Sequence, residues 1–206
     1  MKREIYVDVG GGNGDFYKRG MNHSGVFSIL NRLSKNHIVL DPLVQNKTEG
    51  GIRFIHGGIS SEELLPFPDR SVAHIDANFI IPHDNLSRFT VLVAEAKRVL
   101  QPKGEVCICD YDKVVTNLMN ILPSNDFQIT EPRLPKLGER SRQVDYFLIG
   151  TGAVSLEEAT KYGNDFQDDT ILGMMTSILL SGDLSPEKIK QHQELIPKIF
   201  SLKKIA

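Results

Sequence analysis

The sequence predicts an α/β protein built on a mainly parallel sheet, and three observations carry that prediction. Apolar β-forming runs alternate with segments of helical periodicity. The first such run, ending VDV, breaks into the glycine-rich stretch GGGNG. The second, HIVLD, ends in an acid followed by Pro42. A buried strand running into closely spaced glycines makes either a plain hairpin turn or a turn that offers its backbone N–H groups to a nucleotide-like ligand at close range. Gly10, Gly12 and Gly14 alternate in that turn, and Asp8 sets an acceptor beside it. Such an acceptor suits a ligand carrying an ammonium or a hydroxyl better than a bare phosphate.

After the glycine turn comes DFYKRGMNHSG, and then a helical pattern near Ser24 with Val26, Phe27, Leu30 and Leu33 on one face. HIVLD, from His37 to Asp41, reads as the second strand. Its terminal Asp41 is either a turn acid or the carboxylate that accepts from both hydroxyls of a ribose. IRFIH (52–56) makes a third strand leading to Gly57 and Gly58, and the turn LPFPDRS precedes a fourth from about Val72 to Phe79. Leu86, Phe89, Val93, Ala96, Val99 and Leu100 fall at helical spacing up to Pro102. GEVCICDYD is then a fifth buried strand, and VVTNLMNIL a helix ending at Pro123.

FQITEP and QVDYFLIGTG read as two strands joined by a short basic loop that leaves no room for a crossover helix, so they are expected to be antiparallel. Arg133, Lys136, Arg140 and Arg142 of that loop either face solvent or meet an acidic substrate. The last fifty or so residues read as helical: Ser155 and Glu158 form a capping box, Gly182 closes an apolar middle helix, and Ser185-Pro186 starts a last helix. Pro197 would kink that last helix, whose Ile189, Leu195, Ile196, Ile199 and Phe200 continue the apolar surface.

A chain of 206 residues, 40% hydrophobic and 24% charged, with a formal charge of -2, fits one globular domain with no bulk attraction to nucleic acid or anionic lipid. No apolar run approaches the ~18 residues of a membrane span, and no signal-peptide pattern opens the sequence, so a cytoplasmic location is expected. Cys107 and Cys109, two apart in one strand, point the same way and cannot easily bridge each other, which fits a reducing compartment.

VDVGGGNG after the first strand, LPFPDRSVAHI leading into the fourth, and RVLQPKGEVCICD from helix to fifth strand stand in one order. Together they resemble the class I S-adenosylmethionine-dependent methyltransferases, in particular the small-molecule, type 11-like branch with its LPFPD and RVLxPGG patterns. The resemblance covers about residues 4 to 152. It implies a Rossmann-like, seven-stranded, mostly parallel sheet with an antiparallel last strand in residues 1–152, followed by C-terminal helices in residues 153–206 of the same domain.

It further implies that Asp8, Gly10, Gly11 and Gly12 surround the methionine part of S-adenosylmethionine. Asp41 would hold the ribose, with Pro42 or Leu43 against the adenine. Family members usually carry an acid after the third strand; here Gly57-Gly58-Ile59-Ser60-Ser61 stands instead, so backbone groups of Gly58 and Ile59 or a serine hydroxyl would take over. Asn78 falls where the family often contacts the amino-acid end. A nicotinamide dehydrogenase would need Gly-x-Gly-x-x-Gly, and counting from Gly10 puts Asp15 in the third glycine's place.

The expected reaction is in-line transfer of a methyl group to an O or N nucleophile of a small molecule or peptide. A base is required only for a protonated nucleophile, and His83, just past the fourth strand with Asp84 beside it, is the candidate. Tyr111 or Asp112 could touch substrate. Asp110 and Asp112 lack a third oxygen ligand, so no metal site is expected. Phe16, Tyr17, Lys18 or Arg19 would form a lid over the cofactor, and the apolar C-terminal helices would roof the pocket or build a homodimer. The competing class is a catalytically silent relative that binds a partner through its helical tail.

Overall fold

A computed structural model describes residues 4–10, 35–59, 64–78, 87–122, 125–136, 139, 148, 151, 153–155 and 196–205. Its strands are β1 (Glu4–Val9), β2 (Lys35–Asp41), β3 (Lys47–Glu49), β4 (Ile52–His56), β5 (Val72–Asn78), β6 (Leu100–Tyr111), β7 (Phe127–Ile129) and β8 (Pro197–Lys204). Two helices, α1 (Ser87–Val99) and α2 (Asp112–Met119), flank β6 in sequence. The strands form one eight-stranded sheet in the order β3-β4-β2-β1-β5-β6-β8-β7. From β4 to β6 all neighbours are parallel, whereas β3 runs against β4, and β8 runs against both β6 and β7.

The apolar core lies on one face of this sheet. Val7, Ile38, Ile75, Val106 and Phe200 project from five neighbouring strands into a cluster with Phe89 and Leu92 of α1 and Val114 and Leu118 of α2. Burial of such side chains stabilises by about 1.5–3 kcal/mol each. Helix α1 forms because Phe89, Leu92, Val93, Ala96 and Val99 recur at helical spacing and are all buried, while Lys97 and Arg98 complement the dipole at its last turn.

Arg98 also closes the loop that leads into β5. Its guanidinium donates to the carbonyls of Leu65 and Phe67 at 2.9 Å each, to Glu95 at 2.9 and 2.6 Å, and to Asp69 at 2.9 Å. Glu95, 6% exposed, accepts in turn from the Leu65 amide at 2.9 Å. The Arg98 hydrogen bonds hold the Glu95 carboxyl below its ordinary range against the opposing effect of burial. LPFPD and the arginine of RVL therefore form one bonded unit, with Leu65 and Phe67 pressed into the core. This unit sets where β5 begins: the amides of Arg70 and Ser71 donate to Arg98 and Val99 carbonyls.

Two expectations from the sequence are corrected. Among the described residues the sheet has eight strands where seven were expected, with KTE adding an antiparallel edge to β4. Gly50 and Gly51, with φ of 58° and 83°, make the two-residue turn between them, a conformation that costs glycine little and other residues more. Residues 197–204, expected in a helix, form β8 instead. Ile199 is buried on one face of the sheet, and Phe200 and Leu202 on the other. Burial on both faces removes the alternation that marks a half-exposed strand, and the remaining spacing imitates a helix. Pro197 opens the strand, where its missing N–H is tolerated.

Among the described residues the antiparallel partner of β7 is β8, and the predicted strand QVDYFLIGTG lies, apart from Leu148 and Thr151, outside them. Leu148 of that stretch packs beside Cys107, Cys109 and Ile199 on the face opposite the main core. Neither cysteine forms a disulfide, and both are buried on the same side of β6. The helix from Ser24, the Phe16–Arg19 lid, the capping box with Glu158 and the apolar middle helix at Gly182 lie outside the described residues.

Candidate functional site

The order β4-β2-β1-β5-β6 means that the chain leaves β1 toward one edge, then crosses back to β5 on the other side of β1. In open α/β sheets that reversal opens a crevice beyond the carboxyl ends of the two central strands, because the connections diverge there. Gly10, Asp41, Gly57 and Asn78 sit at the ends of β1, β2, β4 and β5 around this crevice.

Gly10 adopts φ 71° and donates its N–H to the Leu40 carbonyl at 2.8 Å, so the chain turns sharply over the end of β2. A side chain there would be strained by the backbone conformation. Asp8 lies two residues back on β1 and is 1% exposed.

Asp41 is 6% exposed. One of its carboxylate oxygens accepts the Leu43 amide at 2.7 Å, and its carbonyl accepts the Gly57 amide at 3.3 Å. The acid thus organises the turn that it occupies. Pro42 lies against Gly58, where an added Cβ would meet the proline ring at 3.8 Å, while Leu43 is 91% exposed. The Ile59 side chain belongs to the main core, which leaves only its backbone for a ligand. Two residues that the sequence reading passed over fix the same rim: Asn46 accepts the His56 amide at 2.8 Å, and the His56 ring meets the Val44 carbonyl at 3.1 Å.

Asn78 ends β5, and its side-chain oxygen is buried with no hydrogen-bond partner among the described residues. A buried amide oxygen in that state accepts readily from a donor brought by a ligand. On β6, Asp110 is buried and one oxygen accepts the Tyr111 amide at 2.8 Å. Burial, and after it the charge of Asp110, push the Tyr111 hydroxyl above its ordinary range. Asp112 opens α2. Among the described residues no group of three or more His, Cys, Asp or Glu side chains could hold a metal ion, and no helix is long and apolar enough to cross a membrane.

Arg133 of the basic loop is engaged by Glu139, and its backbone bridges to Ile199. That ties the arginine to the fold. Gly11, Gly12, His83, Asp84, Arg140 and Arg142 lie outside the described residues.

Beneath the crevice, the sheet face opposite the main core carries a polar strip that the sequence reading missed. Tyr6 and Asp8 of β1, and His74, Asp76 and Asn78 of β5, share that face in register. It is flanked by two small apolar clusters, Val39, Ile52 and Phe54 on one side and Cys107, Cys109, Leu148 and Ile199 on the other. The signal was the alternation in HIDAN, where every second residue of the predicted fourth strand is polar.

No protein-family model matches the chain. Among curated proteins it is 27% identical over 140 residues to the ubiquinone/menaquinone biosynthesis C-methyltransferase UbiE of Paraburkholderia phytofirmans, covering 65% of this chain and 52% of that protein. The chain therefore spans about half the length of this curated relative. Among solved structures it is similar to Haemonchus contortus phosphoethanolamine N-methyltransferase 2, in complex with phosphomonomethylethanolamine and S-adenosylhomocysteine: TM-score 0.56, 14% identity, covering 100% of this chain and 50% of that one. The complex between the Haloferax volcanii Trm112 methyltransferase activator and its methyltransferase partner matches with TM-score 0.52 and 15% identity, over 100% of this chain and 84% of that one.

Proposed function

We propose that this chain, which has the fold of the class I S-adenosylmethionine-dependent methyltransferases, binds S-adenosylmethionine in the crevice between β1 and β5 and transfers its methyl group to a small-molecule nucleophile. The observation that carries this reading is the convergence of the Gly10 turn, buried Asp41 and the Asn78 oxygen, unpartnered among the described residues, where the strand order reverses. Gly10 keeps side-chain bulk away from the ligand. Asp41, pre-oriented by the Leu43 amide, accepts from ribose hydroxyls. Asn78 accepts from the ammonium of the amino-acid end. Pro42 and Leu43 line the adenine side, and the backbone at Gly58 and Ile59 takes the part of the acid that the family usually carries.

S-adenosylmethionine supplies a methyl group on a sulfonium. The protein's part is mainly to hold acceptor and methyl in line, which can contribute about 7–11 kcal/mol of the barrier reduction through proximity and orientation. His83 is the candidate base for an acceptor that arrives protonated. Residues 153–196 are the candidate roof over the acceptor, or a dimer contact.

Calorimetry with S-adenosylhomocysteine and with NAD tests the binding half. The first should bind and the second should not, and Asp41→Ala should weaken the first by roughly tenfold or more, as loss of a charged hydrogen-bond acceptor does. Absence of heat with S-adenosylhomocysteine in folded protein would refute the reading. Label transfer from S-adenosylmethionine into a metabolite extract tests the catalytic half; binding without transfer would favour a silent relative that serves as a partner-binding protein.

A further inference from the structure

We propose that His74 is a positioning residue for this site: held between Asp76 and Glu105, it offsets the charge of Asp76 and keeps Asp8, the next carboxylate on the same sheet face, in place for the ammonium of the bound ligand. The inference rests on the reading of the crevice given above and extends it one layer into the sheet.

The geometry is explicit. His74 Nε2 lies 3.0 Å from Asp76 Oδ1, and Nδ1 lies 3.1 Å from Glu105 Oε1. A ring with both nitrogens turned to carboxylates is a double donor, which only the protonated form can be. Tyr6 stacks on the ring at 5.5 Å and also leans on His37 at 5.8 Å, so the imidazole is fixed in its plane. Among the described residues, the titratable and charged groups on this face around His74 are Glu4, Tyr6 and Asp8 on β1, His37 on β2, Asp76 on β5, Glu105 and Cys107 on β6 and Lys203 on β8, the last paired in register with Glu105. Burial alone would lower the His74 pKa, but the hydrogen bonds to Asp76 and Glu105 and their charges outweigh it and raise the value to about 9.

Asp8 and Asp76 are register partners on adjacent parallel strands, 1% and 3% exposed. Two such carboxylates placed side by side away from water repel, and a cation beside one of them relieves that repulsion. Asp8 lies directly under Gly10 and Asn78, so a carboxylate displaced by that repulsion carries negative charge away from them. His74 supplies the compensation from below, on the side away from the ligand. Its carboxylate partner Glu105, 42% exposed, connects the arrangement to solvent at the far end.

Calorimetry on the whole chain tests this, with S-adenosylhomocysteine and with 5′-methylthioadenosine, the nucleoside thioether that lacks the amino-acid end. Between about pH 6 and pH 8, below the His74 value, the unaltered protein should bind S-adenosylhomocysteine with constant affinity. His74→Gln should bind it about tenfold more weakly across that range, while 5′-methylthioadenosine stays within about twofold. Adding Asp76→Asn to His74→Gln removes the repulsion and should restore S-adenosylhomocysteine to within about threefold of the unaltered protein.

Equal losses for both ligands, or an unchanged S-adenosylhomocysteine affinity in folded His74→Gln, would overturn the proposal. If His74→Gln does not fold, the double variant carries the test, and a folded double variant still more than about tenfold weak for S-adenosylhomocysteine overturns it. Failure of the unaltered protein to bind either ligand would instead strike the reading of the crevice itself, and it shows without any substitution.

Discussion

Two ion clusters in this molecule use similar ingredients for different ends. Around Arg98, a permanently charged fork meets Glu95, Asp69 and two backbone carbonyls, and it ties the loop at 64–69 to α1. Around His74, a titratable ring meets Asp76 and Glu105, and all three side chains project from strands in register. The Arg98 cluster gains from planar, multidentate geometry and keeps its charge at any accessible pH. The His74 cluster depends on a proton. One is a fastening, and the other is a charge setting under the crevice. The contrast teaches that a buried acid such as Glu95 or Asp76 is interpretable only once its cation is known.

The largest expected effect comes from breaking the fastening. Arg98→Ala leaves Glu95 buried with the Leu65 amide as its hydrogen-bond donor and frees two loop carbonyls, and removal of one partner of a buried pair costs about 3–5 kcal/mol. Urea unfolding should show it as a fall in midpoint. A loss under about 1 kcal/mol would reduce the cluster to an ordinary surface ion pair.

Next comes the pH dependence that separates the two clusters. The folded-state pKa of His74, about 9, lies above the model-peptide value of 6.5. The folded protein therefore holds this proton more tightly than the unfolded chain does. The resulting stability is fully present below about pH 6.5 and is lost as pH rises through about 9. Its full size is about 3 kcal/mol at 1.36 kcal/mol per unit. His74→Gln should lack this alkaline decline between pH 6.5 and 9, whereas Arg98→Ala should keep it. A smaller effect, about 2 kcal/mol, is expected for Arg98→Lys, which retains the charge but cannot reach two carbonyls and a carboxylate with one planar fork. Equal stability of Arg98→Lys and the unaltered protein would show that charge, and not geometry, holds the loop.

The same contrast explains what could be read in the sequence. The elements whose apolar residues keep a clean period were legible: IRFIH coincides with β4, α1 starts one residue from the predicted helix, and Asp41 ends β2 as expected. Strand β8 was not, because burial on both faces erased its alternation, and neither was β3, because its three exposed residues carry no hydrophobic signal. The Gly50-Gly51 pair did announce its turn and was passed over. At the site, single residues at strand ends were visible as local patterns, whereas the Asp8–Asp76 adjacency depends on strand order and register, which local spacing does not encode. LPFPD and RVL were noticed as companions in sequence; their bond through Arg98 gives the physical reason for that companionship.

The smallest effect tests how the His74 cluster divides its work. Glu105 is 42% exposed, so its pair with His74 is partly screened, whereas Asp76, with a side chain 4% exposed, is not. The hydrogen bond from His74 holds the Glu105 carboxyl below its ordinary range, with burial opposing. A lowered carboxylate contributes stability above its unfolded pKa and loses it as pH falls through the folded value, so Glu105 acts on the acid limb while His74 acts on the alkaline one. Glu105→Gln should accordingly cost about 1 kcal/mol or less near neutrality, in line with a partly exposed pair. It should also move the midpoint of the alkaline decline to lower pH without abolishing it, since Asp76 remains. If Glu105→Gln abolished the decline as completely as His74→Gln, the outer carboxylate would be the dominant partner, and the case for Asp76 as the charge that His74 offsets would fall with it.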